Sequence, residues 1–308
     1  MESKIRNLVI DNINENPLKI EKMNLGFTNK VYSVKLDKDE IIVRTNDSQE
    51  IFKKLENNLK ELKEIGLPVP KLLYIDLSKN KYNFAYVILE KIKGRDLRFE
   101  IEQMSINEMK DIAKKIVEYQ KMAMSLPEGN GFGKCNIGER GPFNSWTGFI
   151  ENELRQLKII FQDVLGVNYS LDIVRIFTLL REYFNKIRPL CFLDEVSLRN
   201  VIINKGRIEG IIDFDWVCYG DPLYNVALVQ TGTLLHLDTK CMYYVEELCK
   251  QWGINKHEQI IVNFYSIIYA GHFLTFQLRM NNMEIVNKLR GIIERLIYKI
   301  STDLMINK

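Results

Sequence analysis

Glu195 and Asp194 stand five and six residues before Asn200, and Asp213 follows a short way downstream. A carboxylate in the first position could accept the proton of an attacking hydroxyl. An amide oxygen and a second carboxylate brought to one point suit magnesium, which keeps several waters and takes its remaining ligands from phosphates rather than from a protein cage. A carboxylate, four intervening residues, an asparagine and then a hairpin leading to an acid is the layout of kinase-type phosphoryl transfer. Asp215 points away along an unbroken strand and joins such a site only if the backbone turns there.

These residues need a scaffold that makes them converge. Residues 200–203 and 207–212 are rich in β-branched side chains, and Asn204-Lys205-Gly206 between them is turn chemistry that tolerates positive φ. The pairing predicts Ile203 near Arg207, Asn200 near Gly210 or Ile211, and Asp213 just past the same open end. Gly220-Asp221-Pro222 then reads as a helix start, with the Asp as a structural cap.

The stretch from Leu193 to Ala227 resembles the signature of the aminoglycoside phosphotransferase and choline kinase family, His-Gly-Asp-x4-Asn, a hairpin, Ile-Asp-Phe/Trp and Gly-Asp-Pro. IEGIIDFDWVCYGDPLYNVA matches closely and puts Asp213 in the metal-ligand place, with Asn200 as the second ligand. Upstream the pattern departs: the catalytic Asp falls on Glu195, and the His and Gly fall on Leu193 and Asp194. Asn225 stands where the family more often has Asp. Three readings stay open. Glu195 serves as the base with the loop drawn back, or a one-residue bulge gives the role to Asp194, or the site is a degenerate pseudokinase that binds nucleotide as a sensor or interaction module.

The resemblance implies an α+β, two-lobed protein-kinase-like fold, with an antiparallel sheet plus helix over residues 1–93 and a mainly helical lobe over 94–308. It implies magnesium and ATP or GTP as cofactors, and a small-molecule hydroxyl as acceptor, an aminoglycoside or a related antibiotic or metabolite. LGFTNKVYSV looks like the nucleotide-covering hairpin, with Gly26 and Asn29 at its turn, and Arg44 takes the place of the phosphate-contacting strand lysine. Glu56, on a helix expected over 49–65, is the candidate ion-pair partner of Arg44. Backbone groups of Glu90 and Ile92, at the hinge, would read the adenine edge.

Composition narrows the rest. The chain has 308 residues and a formal net charge of +3, with Lys and Glu interspersed along the helical patterns, which argues against a nucleic-acid partner. No P-loop pattern, secretory leader or run of eighteen apolar residues occurs, so the expectation is a cytoplasmic protein without a membrane partner. Cys135, Cys191, Cys218, Cys241 and Cys249 have no zinc spacing, and His236, His257 and His272 no mutual ligand spacing. Apolar periodicity predicts helices near residues 4–13, 109–117, 149–161, 173–187, 243–249, 258–280 and 286–306. The connection LPEGNGFGKCNIGERGPFNSW resembles a family loop that reaches the acceptor site. Trp146, Trp216, Tyr219, Tyr224 and Trp252 are available for an aromatic cage, although core packing accounts for most such residues. Acceptor identity, ATP against GTP, and oligomeric state are left open.

Overall fold

The computed structural model describes residues 1–23 and 29–306; Gly26 lies outside them. The first element, α1 (Glu2–Ile13), buries Ile5, Leu8 and Val9. It is followed by β1 (Lys19–Met23), β2 (Lys30–Lys35), β3 (Glu40–Asn46), α2 (Leu55–Glu64), β4 (Leu72–Asp76) and β5 (Ala85–Glu90). The strands make one antiparallel sheet in the order β1-β2-β3-β5-β4. β5 shows why this sheet is covered on both sides. Its Tyr86 and Ile88 pack with α1, whereas Ala85, Val87 and Leu89 face α2 and the next core, as the two-residue strand period requires.

The chain then passes through β6 (Arg95–Asp96) and α3 (Leu97–Glu100) into α4 (Ile106–Ala123). Ser105 and Glu108 start α4 with a reciprocal capping box. Gly94, at φ 136°, lies so close to Ile203 that a Cβ there would sit 2.3 Å from its carbonyl oxygen, so only glycine fits the crossing. Next come β7 (Gly133–Cys135), α5 (Trp146–Leu165), α6 (Val167–Asn185), β8 (Leu190–Phe192), β9 (Val201–Asn204), β10 (Arg207–Ile211) and β11 (Val217–Gly220). The last elements are α7 (Leu223–His236), α8 (Met242–Trp252), α9 (Lys256–Arg279) and α10 (Met283–Ile306). Two small sheets, β10-β9-β6 and β7-β11-β8, lie beneath the first. One core runs from Phe52 and α2 through α4 to Leu193 and Ile211, so it is continuous between the first sheet and the loop before Asn200. No helix among the described residues is long and apolar enough to cross a membrane.

The hairpin forms with a register one residue from the expected one. Lys205 and Gly206, with φ of 49° and 72°, close a two-residue turn between Asn204 and Arg207. A bulge at Glu209 then sets Ile202 against Gly210 and Val201 against Ile211. Asn200 consequently faces Ile212, whose N–H donates to its carbonyl at 2.9 Å, and not Gly210 or Ile211. The expected helix over 49–65 is also shorter, a 3-10 turn at Glu50–Phe52 preceding α2.

Candidate active site

The stretch between β8 and β9 carries Asp194, Glu195 and Asn200, and buried amides fix it from behind. Gln120 of α4 clamps Leu193, accepting from its N–H and donating to its carbonyl, both at 2.9 Å. Asn225 of α7 donates to the carbonyls of Asp194 at 3.3 Å and Val196 at 3.1 Å. These bonds satisfy backbone groups that burial would otherwise strand. An Asp at position 225 would be unable to donate them when ionised.

At the mouth of the β9–β10 hairpin the chain turns. Asp213 has φ 74°, outside the extended region, and this turn brings Asp215 to the same side. Arg44 of β3 makes an ion pair with Asp213 at 3.1 Å and another, still shorter, with Asp215. Burial opposes the charge of Arg44, but Asp215 and Asp213 together hold its guanidinium above its ordinary pKa. Burial raises the Asp213 carboxyl, with Arg44 acting against it. Asn29 donates to Asp215 at 3.2 Å and accepts from the Asn46 amide at 2.9 Å. On the inner side Asn58 of α2 donates to the carbonyls of Phe214 and Asp215, each at 3.2 Å. The first sheet is therefore tied to the hairpin mouth from two sides.

The two candidate bases have opposite settings. Glu195 is 46% exposed, whereas the side chain of Asp194 is 1% exposed. Lys134 of β7 joins them, with Nζ 2.5 Å from Glu195 Oε1 and 2.8 Å from Asp194 Oδ2. Burial pushes the Asp194 carboxyl up to about 6 in spite of Lys134. The one-residue bulge that would turn Asp194 outward does not occur.

The oxygen set fits a hard divalent cation. Asp213 is 47% exposed toward solvent. Asp215 Oδ1 is buried and has no hydrogen-bond partner among the described residues. Asn200 donates through Nδ2 to the Glu195 carbonyl at 2.9 Å, which leaves its Oδ1 to act as an acceptor or ligand. Among the described residues no group of three or more His, Cys, Asp or Glu could hold a metal alone.

Residues 19–240 match the model of the phosphotransferase enzyme family. The chain belongs to that family. A hygromycin-B 4-O-kinase of Escherichia coli is 22% identical to this phosphotransferase-family chain over 214 residues, 67% of the chain and 60% of the kinase. The chain thus matches less than two thirds of that relative's length. Among solved structures, aminoglycoside phosphotransferase APH(4)-Ia superposes with a TM-score of 0.72 at 16% identity, covering 97% of this chain and 99% of that one. A thermostable mutant of it, in ternary complex with AMP-PNP and hygromycin B, gives 0.70 at 16% identity, covering 96% and 98%. The GDP and kanamycin complex of APH(2'')-IIia gives 0.69 at 14% identity, covering 96% and 99%. The fold is the α+β, protein-kinase-like fold of these phosphotransferases.

Within this family member Arg44 and Asn29 meet the aspartates of the hairpin mouth, Asn200 bonds the Glu195 backbone, and Asp194 lies enclosed beneath Lys134. Glu56 does not join them. The buried face of α2 is Leu55, Asn58, Leu59 and Leu62, and Glu56 projects from the opposite, exposed face while Arg44 pairs with aspartates instead. The Glu90 N–H donates to the Lys71 carbonyl at 2.9 Å, so an adenine edge could meet only its carbonyl, and Ile92 follows in the connecting segment. Trp146, Tyr219 and Tyr224 are buried in the core and form no cage. Nothing in the local sequence marks Lys134, Asn58 or Gln120 as site residues. Each is a single polar residue whose role depends on which distant strand or loop meets it.

Asp221 caps α7 as expected, accepting from Leu223 N–H at 3.0 Å, and it also accepts from the Tyr183 and Tyr265 hydroxyls at 3.0 and 2.8 Å. Burial outweighs these bonds and pushes its carboxyl from the ordinary 3.8 to about 6. A folded-state pKa above the unfolded one gives stability that is full below the unfolded value and is lost as pH rises through the folded one. A shift of roughly 2 units bounds this effect at about 3 kcal/mol. The Tm advantage of the parent over Asp221→Asn is therefore expected to shrink between pH 4 and pH 7. Thermal melts showing a constant difference would contradict this.

Proposed function

We propose that this phosphotransferase-family protein transfers the γ-phosphoryl group of ATP or GTP to a hydroxyl of a small molecule, an aminoglycoside or a related antibiotic or metabolite. The observation that carries the reading is the junction at Arg44. A buried strand arginine meets Asp213 and Asp215 at the hairpin mouth, beside Asn200 and the exposed Glu195. In this reading residues 1–93 cover the nucleotide and residues 94–308 carry the transfer and acceptor sites.

Asn200 Oδ1 and Asp213 would hold magnesium, which when bound neutralises charge on the phosphates. Arg44 retains the positive charge of the usual lysine and offers a planar fork suited to phosphate oxygens. It also holds Asp213 and Asp215 in place. Asn29 supports that arrangement through Asp215. Glu195, open to the cleft, orients the acceptor hydroxyl and takes its proton. Asp194 is enclosed and anchors Lys134. Catalysis here is mostly positioning and charge stabilisation. The hygromycin B and kanamycin named for the structural relatives motivate the acceptor class.

Mass spectrometry after incubation with magnesium and ATP or GTP across an aminoglycoside panel tests the proposal. At least one acceptor is expected to gain one phosphoryl group. Nucleotide binding without transfer to any acceptor would instead favour a binding-only pseudokinase.

A further inference from the structure

Lys134 lies at the end of a Gly-rich loop, and nothing in the motif accounts for its position. Pairing of β7 with β11 sets it opposite Cys218 and brings its ammonium between Asp194 Oδ2 and Glu195 Oε1 at 2.8 and 2.5 Å. Of the three ammonium donors one is bonded to Glu195 Oε1, and Asp194 Oδ2 lies within ion-pair range of the same nitrogen. Its side chain is 45% exposed and that of Glu195 46%, so the lysine and Glu195 border open space while Asp194 lies enclosed behind them. Building on the phosphotransfer reading, we infer that Lys134 is a specificity-determining residue, filling in cis the cation position between Asp194 and Glu195 and so selecting acceptors whose reacting hydroxyl is not flanked by an ammonium.

The argument is one of charge and space. Two adjacent carboxylates without Lys134 would attract an acceptor amine to the very point where the hydroxyl must meet Glu195. With Lys134 in place, an acceptor amine there meets a like charge, which costs binding in a partly enclosed site. A hydroxyl or an uncharged amide can approach Glu195 without displacing the lysine. β7 pairs with β11 along one edge, and the ammonium is held between the two carboxylates, so Lys134 is not easily withdrawn.

The test compares kcat/KM for kanamycin and hygromycin B with their N-acetylated forms, in which the hydroxyls remain and the amine charges are gone. Lys134→Ala is expected to move the ratio roughly tenfold or more toward the free-amine form, through KM more than kcat. Lys134→Arg should keep the parent ratio. If Lys134→Ala fails to fold because Asp194 is left buried and unpaired, Lys134→Ala combined with Asp194→Asn is expected to show the same shift through Glu195. An unchanged ratio in a folded variant, with the parent active, would overturn this assignment alone. A parent that binds nucleotide but phosphorylates neither form of either compound would overturn the phosphotransfer reading, and this assignment with it.

Discussion

Replacing Asp213 by asparagine is expected to lower kcat roughly 10²–10³-fold, the scale on which a principal electrostatic group acts, while the fold survives. Asp213 sits at the exposed edge of the Arg44 ion pair, whereas the buried partner of Arg44 is Asp215. Loss of one charge at position 213 leaves Arg44 still paired, so no isolated buried charge is created. The chemical loss follows because an amide cannot supply the negative charge that a hard cation prefers. Steady-state kinetics, run with a magnesium titration and a thermal melt, separate the two effects. A variant with parent magnesium dependence would remove Asp213 from the ligand set. Arg44→Ala makes the contrast, since it strands buried Asp215 and is expected to destabilise the protein by about 3–5 kcal/mol.

The second large effect concerns the choice between Glu195 and Asp194. Glu195→Gln is expected to cost roughly 10²–10⁴ in kcat, the range for a positioned general base, with little change in melting temperature. Its carboxylate is open, and among the described residues its only side-chain partner is Lys134. Asp194→Asn should leave kcat within about tenfold and raise Tm near pH 7, because it removes an enclosed carboxylate whose ionised form burial disfavours. The reverse ordering of the two kcat values would assign the base to Asp194. Single-turnover measurements at saturating nucleotide would show which step is affected.

Much of this arrangement was legible in the residues themselves. Helical periodicity located α1, α4, α8 and α10, because each buries one face and wets the other, whereas α9 is buried all round through its middle. It gave no stripe for α7, which is buried nearly all round. The hairpin was visible in its turn residues, but the bulge at Glu209 was not, since an extra unpaired residue leaves no mark in a short β-branched run. Asn200 and Asp213 were found by spacing. Asp215 was ranked below them because its recruitment depends on the left-handed turn at Asp213. Lys134 and Asn58 act across the chain, on loops distant in sequence, and local pattern carries no information about such meetings. The Glu56 pairing failed for a related reason. Helix phase decides which residue faces the sheet, and the inward polar residue of α2 is Asn58.

The shared cation at the hairpin mouth is tested most directly by a crystal structure of the protein with magnesium and a non-hydrolysable ATP or GTP analogue. The expected result is one metal ion touching both the Asn200 side-chain oxygen and the Asp213 carboxylate, with Glu195 on the open side of the γ-phosphate. A metal held elsewhere, or Asn200 turned away from it, would contradict the assignment of this site.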